Sequence, residues 1–207
     1  MDPRRLLAAT AALMMALIAG RAAACSVTGD YVRPSNFELV AMADAIVVAT
    51  AEGPATAKVD DHTPTGVRFK VTATLKGQSP GTVVSNFASI GMTTPSDPND
   101  LSAANGEAYA GPCNRMTYAR GGAYVLFLGK DEAGALRTIG IPFSRVNEDY
   151  TGENSLWIRT IRLYLDVQRD PDQMAQLTRL ETLRDQLLTR ADPVAKAQAA
   201  DIQDHLT

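Results

Sequence analysis

Two cysteines and two histidines carry most of the reactive chemistry available to this chain, and their spacing rules out most of what such residues do. Cys25, Cys113, His62 and His205 lie too far apart for the close Cys/His ligand pairs of a structural zinc site. No Gly-x-Ser-x-Gly elbow is present, and a Ser-His-Asp triad would need His62, in a polar loop, or His205, at the chain end. Cys113 stands between Pro112 and Asn114 with no adjacent base to activate its thiol. No glycine-rich phosphate loop follows a strand and opens a helix. Asp97, Asp100 and Glu107 share one loop but lack the spacing of a calcium loop. Asp60, Asp61 and His62 read as a solvated loop cluster. The residues therefore point away from an enzyme: no catalytic residue, metal ligand or cofactor site is expected.

Composition sets the compartment. Arg4 and Arg5 precede an uncharged, mainly apolar run from Leu6 to Ala19, and Ala22, Ala23 and Ala24 follow as small residues suited to signal peptidase. A bilayer-spanning helix needs about 20 apolar residues, so this run is too short to span. Residues 1–24 are expected to be a cleaved signal peptide, placing the mature chain in the periplasm or outside the cell. The whole chain carries a formal charge of −3, and removing Arg4, Arg5, Arg21 and Asp2 leaves −5. A net-negative chain without a basic cluster is a poor partner for nucleic acid and for anionic lipid. In an exported protein an isolated cysteine pair favours a Cys25–Cys113 disulfide. Its loop of about 88 residues gives a chain-entropy stabilisation of roughly 4–5 kcal/mol. Two free thiols, or a lipid on Cys25 tethering the chain to the outer membrane, are the alternatives.

The elements that must position these residues follow from pattern. Ser35 and Glu38 form a capping-box signature before a short helix whose inner face is expected to hold Phe37, Val40 and Ala41. Ala45 to Ala51 is an apolar run of strand length. Val67 to Leu75 alternates apolar and polar residues, as a strand buried on one face does. Thr82 to Phe87, Ala123 to Leu128 and Leu136 to Ile141 complete five strands. Residues 88–112 form a long polar excursion, either mobile or functional. Trp157, Ile161, Tyr164 and Leu165 share a helical face, although Ile161, Leu163, Leu165 and Val167 also alternate like a strand. Asp170-Pro171 signals a second helix, striped by Met174, Leu177, Leu180, Leu183 and Leu187. Asp192-Pro193 opens a weaker third helix that is expected to fray. Arg159 and Arg162 read as a solvated face. Strands followed by helices, with one long excursion, suggest a mainly β fold: a five-stranded OB-type Greek-key barrel over residues 25–150, then a helical extension over 151–207.

One ordered combination reaches further. A signal ends just before Cys25; a short helix closes at Ala43-Asp44 and passes into a strand; Phe69-Lys70-Val71 precedes Leu75-Lys76-Gly77; Cys113 precedes Gly121-Gly122 and the strand from Ala123 to Leu128. Over about residues 25–141 this resembles the netrin-like domain of the tissue inhibitors of metalloproteinases, in a diverged bacterial exported form. The resemblance implies an OB-type barrel with a stapled N-terminal segment. It also implies that the free amine and carbonyl of Cys25 chelate the zinc of a target metalloprotease, with Ser26 and Val27 at the contact. The chain departs from that family in having Val27 where a second cysteine of Cys-x-Cys stands. Two functions are thus expected: a non-catalytic binding module for a protein or cell-envelope partner, or a metalloprotease inhibitor acting through Cys25.

Overall fold

The computed structural model describes residues 27, 29–56, 65–85 and 87–207. The expected signal peptide, Cys25, Ser26 and His62 lie outside these residues. The sheet is built from β1 (Ala45–Pro54), β2 (Val67–Lys76), β3 (Thr82–Ser85), β6 (Ala123–Lys130), β7 (Leu136–Thr138) and β8 (Asn147–Asp149). A small second sheet joins β4 (Ser89–Ile90) to β5 (Thr117–Tyr118). Helix α1 (Asn36–Met42) precedes the sheet; α2 (Leu156–Val167), α3 (Gln173–Leu188) and α4 (Pro193–Leu206) follow it. The fold is thus mainly an antiparallel six-stranded sheet with C-terminal helices. Its strand order is β3-β2-β1-β6-β7, with β8 also on β6.

The middle of the sheet explains its sequence. β1 pairs antiparallel with β2 on one side and with β6 on the other. Ala45, Val47, Ala49 and Ala51 face one hydrophobic cluster with Phe69, Tyr118, Tyr124, Leu126 and Leu128. Ile46 and Val48 face a second cluster with Val125, Phe127, Trp157 and Ile161. A strand buried on both faces cannot alternate with polar residues, so β1 reads as an unbroken apolar run. β2 buries Val67 and Phe69 and exposes Arg68 and Lys70, because the other side of this edge region meets water.

Register shifts after Ile46, Val48 and Ala51 break the β1–β2 ladder, and such bulges increase twist and bend a sheet. The two ends of the path, β3 and β7, come to lie side by side. Six strands, not the expected five, form the main sheet, and among the described residues no ladder joins its two ends, so the sheet is curled but not closed. Its seam falls between strands of four and three residues, which offer little backbone to pair.

The helices cover the outer face of the sheet. The Ser35 capping box forms, with Ser35 Oγ accepting from Glu38 N–H and Glu38 Oε2 accepting from Ser35 N–H at 2.7 Å. Leu39, rather than the expected Ala41, joins Phe37 and Val40 in the core. Lys76 Nζ donates to the carbonyls of Val40 and Ala41 at the end of α1. Gly77 follows at φ +68, where a Cβ would stand 2.2 Å from the Asp44 carbonyl oxygen, so only glycine fits this junction.

Residues 156–167 are helical, with Trp157 stacked on Phe127 at 5.8 Å. The strand-like alternation there is incidental, because the helical stripe is the one that meets the sheet. α3 is capped by Asp172, two residues later than expected, and its first-turn Met174 is exposed. α4 does not fray. Asp192 caps it, and Ala195, Ala199 and Ile202 are buried; small residues allow the close helix packing that the lack of large apolar residues had argued against. His205 lies in its last turn, 2.8 Å from Ser35 Oγ and against the Phe37 ring. Residues 151–207 thus contribute to the same hydrophobic cluster as β1 and β6. No described helix is long and apolar enough to cross a membrane.

Asp201 is the buried carboxylate of this packing. It accepts hydrogen bonds from Tyr164 Oη at 2.5 Å and Asn36 Nδ2 at 2.6 Å, yet burial outweighs them and pushes its carboxyl up to about 6. A carboxyl raised above the ordinary 3.8 binds more protons folded than unfolded between those values, so its contribution to stability falls as pH rises through that window. Comparing wild type with Asp201→Asn by chemical denaturation, the difference should move in the variant's favour by up to about 3 kcal/mol between pH 4 and pH 7. A pH-independent difference would contradict this assignment.

Candidate functional site

The long excursion over residues 88–112 is held by buried polar side chains. Arg115 is 5% exposed. Its Nη1 donates to Asp149 Oδ2 at 2.7 Å, Nη2 to Asp149 Oδ1 and Thr93 Oγ1, and Nε to the Thr117 carbonyl. Its guanidinium also lies 4.6 Å from the Tyr124 ring centroid. This is a bidentate carboxylate pair in which all three guanidinium nitrogens donate, stacked on an aromatic, an arrangement that lysine cannot reproduce. Burial alone would raise the Asp149 carboxyl; hydrogen bonds from Arg115 and Ser96 prevail and hold it below the usual range.

A second pair lies deeper. Arg145 and Glu148 are both nearly inaccessible and 3.7 Å apart, with Arg145 over the Trp157 ring and donating to the Ala103 carbonyl. Glu148 Oε1 accepts from the Asn105 N–H, and Asn105 Nδ2 donates to the Thr94 carbonyl and to Ser96 Oγ. Glu107, in the 3-10 turn Gly106–Tyr109, accepts from the N–H of Thr117 and of Met116 and from Thr117 Oγ1. Asp97 and Asp100 close local turns through the N–H groups of Asn99 and Ser102. The acidic residues of the loop therefore bind the chain itself. Among the described residues no cluster of three His, Cys, Asp or Glu could hold a metal ion.

This clamping shapes a cleft of about 350 Å³ near the seam between β3 and β7. Phe87, 76% exposed, stands at its rim, with Met116 and Ile139 among its apolar walls. Asn114 and Asn147 also line it, and the carboxamide oxygen of each has no hydrogen-bond partner. Asn147 is 5% exposed and directs its Nδ2 to the Ile139 carbonyl. Two non-glycine residues beside the cleft hold left-handed backbone conformations, Cys113 at φ 62 and Phe143 at φ 58, and Phe143 N–H donates to the Cys113 carbonyl. Such conformations cost on the order of 1–3 kcal/mol each and persist where surroundings enforce them.

Of the residues singled out by sequence, Cys25 and Ser26 lie outside the described residues, and Val27 is half-buried. Cys113 is half-buried and is not a free thiol. Tyr31, in the segment that follows Val27, donates to the Pro142 carbonyl at 2.8 Å and meets the Phe143 ring edge-on. The described N-terminal segment and Cys113 thus converge on the same turn. Trp157 is a core residue, and Arg159 and Arg162 are exposed. Sequence reasoning passed over Asn114, Arg115, Arg145, Asn147, Glu148 and Asp149. The only signal was the dense polar run from Arg145 to Asp149, which has no apolar alternation to mark it as a strand.

Comparisons with protein-family models, with curated proteins and with solved structures found no match to this chain. The site must therefore be read from its own geometry.

Removing one partner of a buried ion pair leaves an uncompensated charge, at a cost of about 3–5 kcal/mol. Arg115→Met is expected to lose that much in urea denaturation, and Arg115→Lys to recover less than half of it. Loss under 1 kcal/mol in Arg115→Met would show that the pair is not a clamp.

Proposed function

We propose that this chain is an exported, non-catalytic binding module of the netrin-like kind, whose contact surface for a protein or cell-envelope partner is the cleft beside Cys113. The observation that carries this reading is the cleft itself: an exposed aromatic rim beside two asparagines whose carboxamide oxygens have no partner, next to the bidentate Arg115–Asp149 pair. Clefts with apolar walls and a few directed polar groups are the usual form of a ligand site. The OB-type barrel belongs to the same proposal. The curled sheet and the approach of β3 to β7 support it, and the Cys25–Cys113 disulfide would staple the N-terminal segment to the cleft rim. Fold likeness alone does not choose a ligand, so the test addresses the cleft.

A photo-crosslinking residue placed at Phe87 in the native host should give a discrete adduct, while the same residue at exposed Met174 on α3 should not. Equal labelling from both positions, or none from either, would remove the cleft from consideration.

The second reading, metalloprotease inhibition through Cys25, is favoured by one observation: Tyr31 anchors the N-terminal segment on Pro142 and Phe143, the turn that also meets Cys113. A chelating wedge needs that kind of fixed approach, because rigidity spares the entropy of ordering it on binding. Under this reading Cys25→Ser abolishes inhibition of a zinc endopeptidase, and retention of full inhibition by that variant would falsify it.

A further inference from the structure

The side chains that line the cleft differ in what they leave open. The carboxamide oxygens of Asn114 and Asn147 are inaccessible, so a ligand does not reach them. The side-chain groups that remain accessible and unpaired can donate. Ser85, on β3, is 8% exposed, and its hydroxyl has no partner among the described residues, yet it is not sealed from solvent. Asn114 Nδ2 has no partner there either, and it is accessible where the oxygen is not. It stands beside Gly140, where an added Cβ would lie 3.4 Å from it. Arg137, on β7, donates only its Nε, to Asp131 Oδ2 at 3.2 Å. Asp131 is fixed in the turn between β6 and β7 by the N–H groups of Ala133 and Ala135. The two terminal nitrogens of the half-exposed Arg137 are therefore left as a fork, the arrangement that one carboxylate matches with two parallel hydrogen bonds.

We infer that the cleft takes the C-terminal residue of a partner polypeptide, with its α-carboxylate on the Arg137 fork and its apolar side chain against the Met116 and Ile139 walls. Donors from β3, from the segment before β5 and from β7 line one opening beside apolar surface. The ligand must therefore bring acceptors and an apolar group within a short reach of each other. The last residue of a chain carries both on one Cα. A mid-chain Asp or Glu does not, because its neighbour in an extended segment points to the opposite face. A cleft of about 350 Å³ lies at the low end of ligand sites, so it admits a chain end rather than a strand running through. Asp131 and Asp149 balance the charges of Arg137 and Arg115, so directed donors hold the carboxylate rather than a long-range field. This inference rests on the cleft being the contact surface and names what the partner presents to it.

The test is a calorimetric titration of the mature full-length protein with Gly/Ser hexapeptides that end in Leu, Val or Phe as the free acid. The same peptides as C-terminal amides, a free-acid peptide ending in Ser, and hexanoate serve as controls. At least one of the apolar free-acid peptides should bind saturably, with its amide, the Ser-ended peptide and hexanoate each at least about tenfold weaker. Arg137→Met should weaken that peptide about tenfold with little change in melting temperature, because the pair it breaks is open to solvent. Arg159→Met, at an exposed arginine on α2, should bind as wild type. No saturable binding by any apolar free-acid peptide, equal binding of the amides or of hexanoate, or full affinity in Arg137→Met would overturn the inference. A protein adduct from crosslinking at Phe87 together with a blank titration would overturn the chain terminus and leave the cleft standing. Blank results in both would remove the cleft as well.

Discussion

The bidentate contact between Arg115 and Asp149 is the constraint on which the rest of this site depends. Asp149 lies on β8, which pairs with the central strand β6. Arg115 stands two residues before β5, whose partner β4 begins the excursion over residues 88–112. One guanidinium therefore ties the sheet to the excursion through Thr93, to β5 through Thr117, and to the aromatic interior through Tyr124. Removing a charge from water is costly, and the cost is offset here because Arg115 meets a carboxylate, a hydroxyl and a carbonyl at once. The strained backbone at Cys113 and Phe143 and the open valences of Asn114 and Asn147 then occur close to that clamp. Rigid support beside strained or unsatisfied groups is what a preformed binding site requires.

The clamp works because the sheet beneath it is buried twice. β1 and β6 place one set of side chains against the aromatic interior and the alternate set against the helices. Without α2, α3 and α4, the outer set of Ile46, Val48, Val125 and Phe127 would meet water. The helical segment is thus bound into the fold's energetics, and Trp157 joins the two halves: it stacks on Phe127 of β6 and lies under the Arg145 guanidinium. Through Arg145 and Glu148, the helix packing reaches Asn105 and the excursion.

How much of this was legible in the sequence depended on whether periodicity marked it. The Ser35 capping box, the doubly buried run at Ala45, the alternation of β2 and the strand at Ala123 all carry local patterns, and each appears near its expected place. β8 was missed because Asn147, Glu148 and Asp149 are polar, and Glu148 and Asp149 find their partners more than thirty positions away in the chain. The order of the excursion was hidden for the same reason: its own Asn105 and Glu107 meet Glu148 and Thr117, and Arg115 and Arg145 reach it from outside. α4 was underrated because alanines, which carry little hydrophobic signal, do its packing. The residues expected to touch a protease, Cys25 and Ser26, lie outside the described chain, whereas the cleft was assembled from asparagines that no sequence pattern separates from solvated ones.

The central claim is that buried arginine–carboxylate pairing, rather than local structure, holds the excursion and the cleft in shape. Hydrogen–deuterium exchange of wild type against Arg115→Met, under conditions where both remain folded, tests it most directly. The account predicts faster exchange across residues 88–118 and 140–149 with protection of β1 and the centre of β6 unchanged. Uniformly faster exchange over the whole sheet, or an excursion that keeps its protection without Arg115, would contradict it.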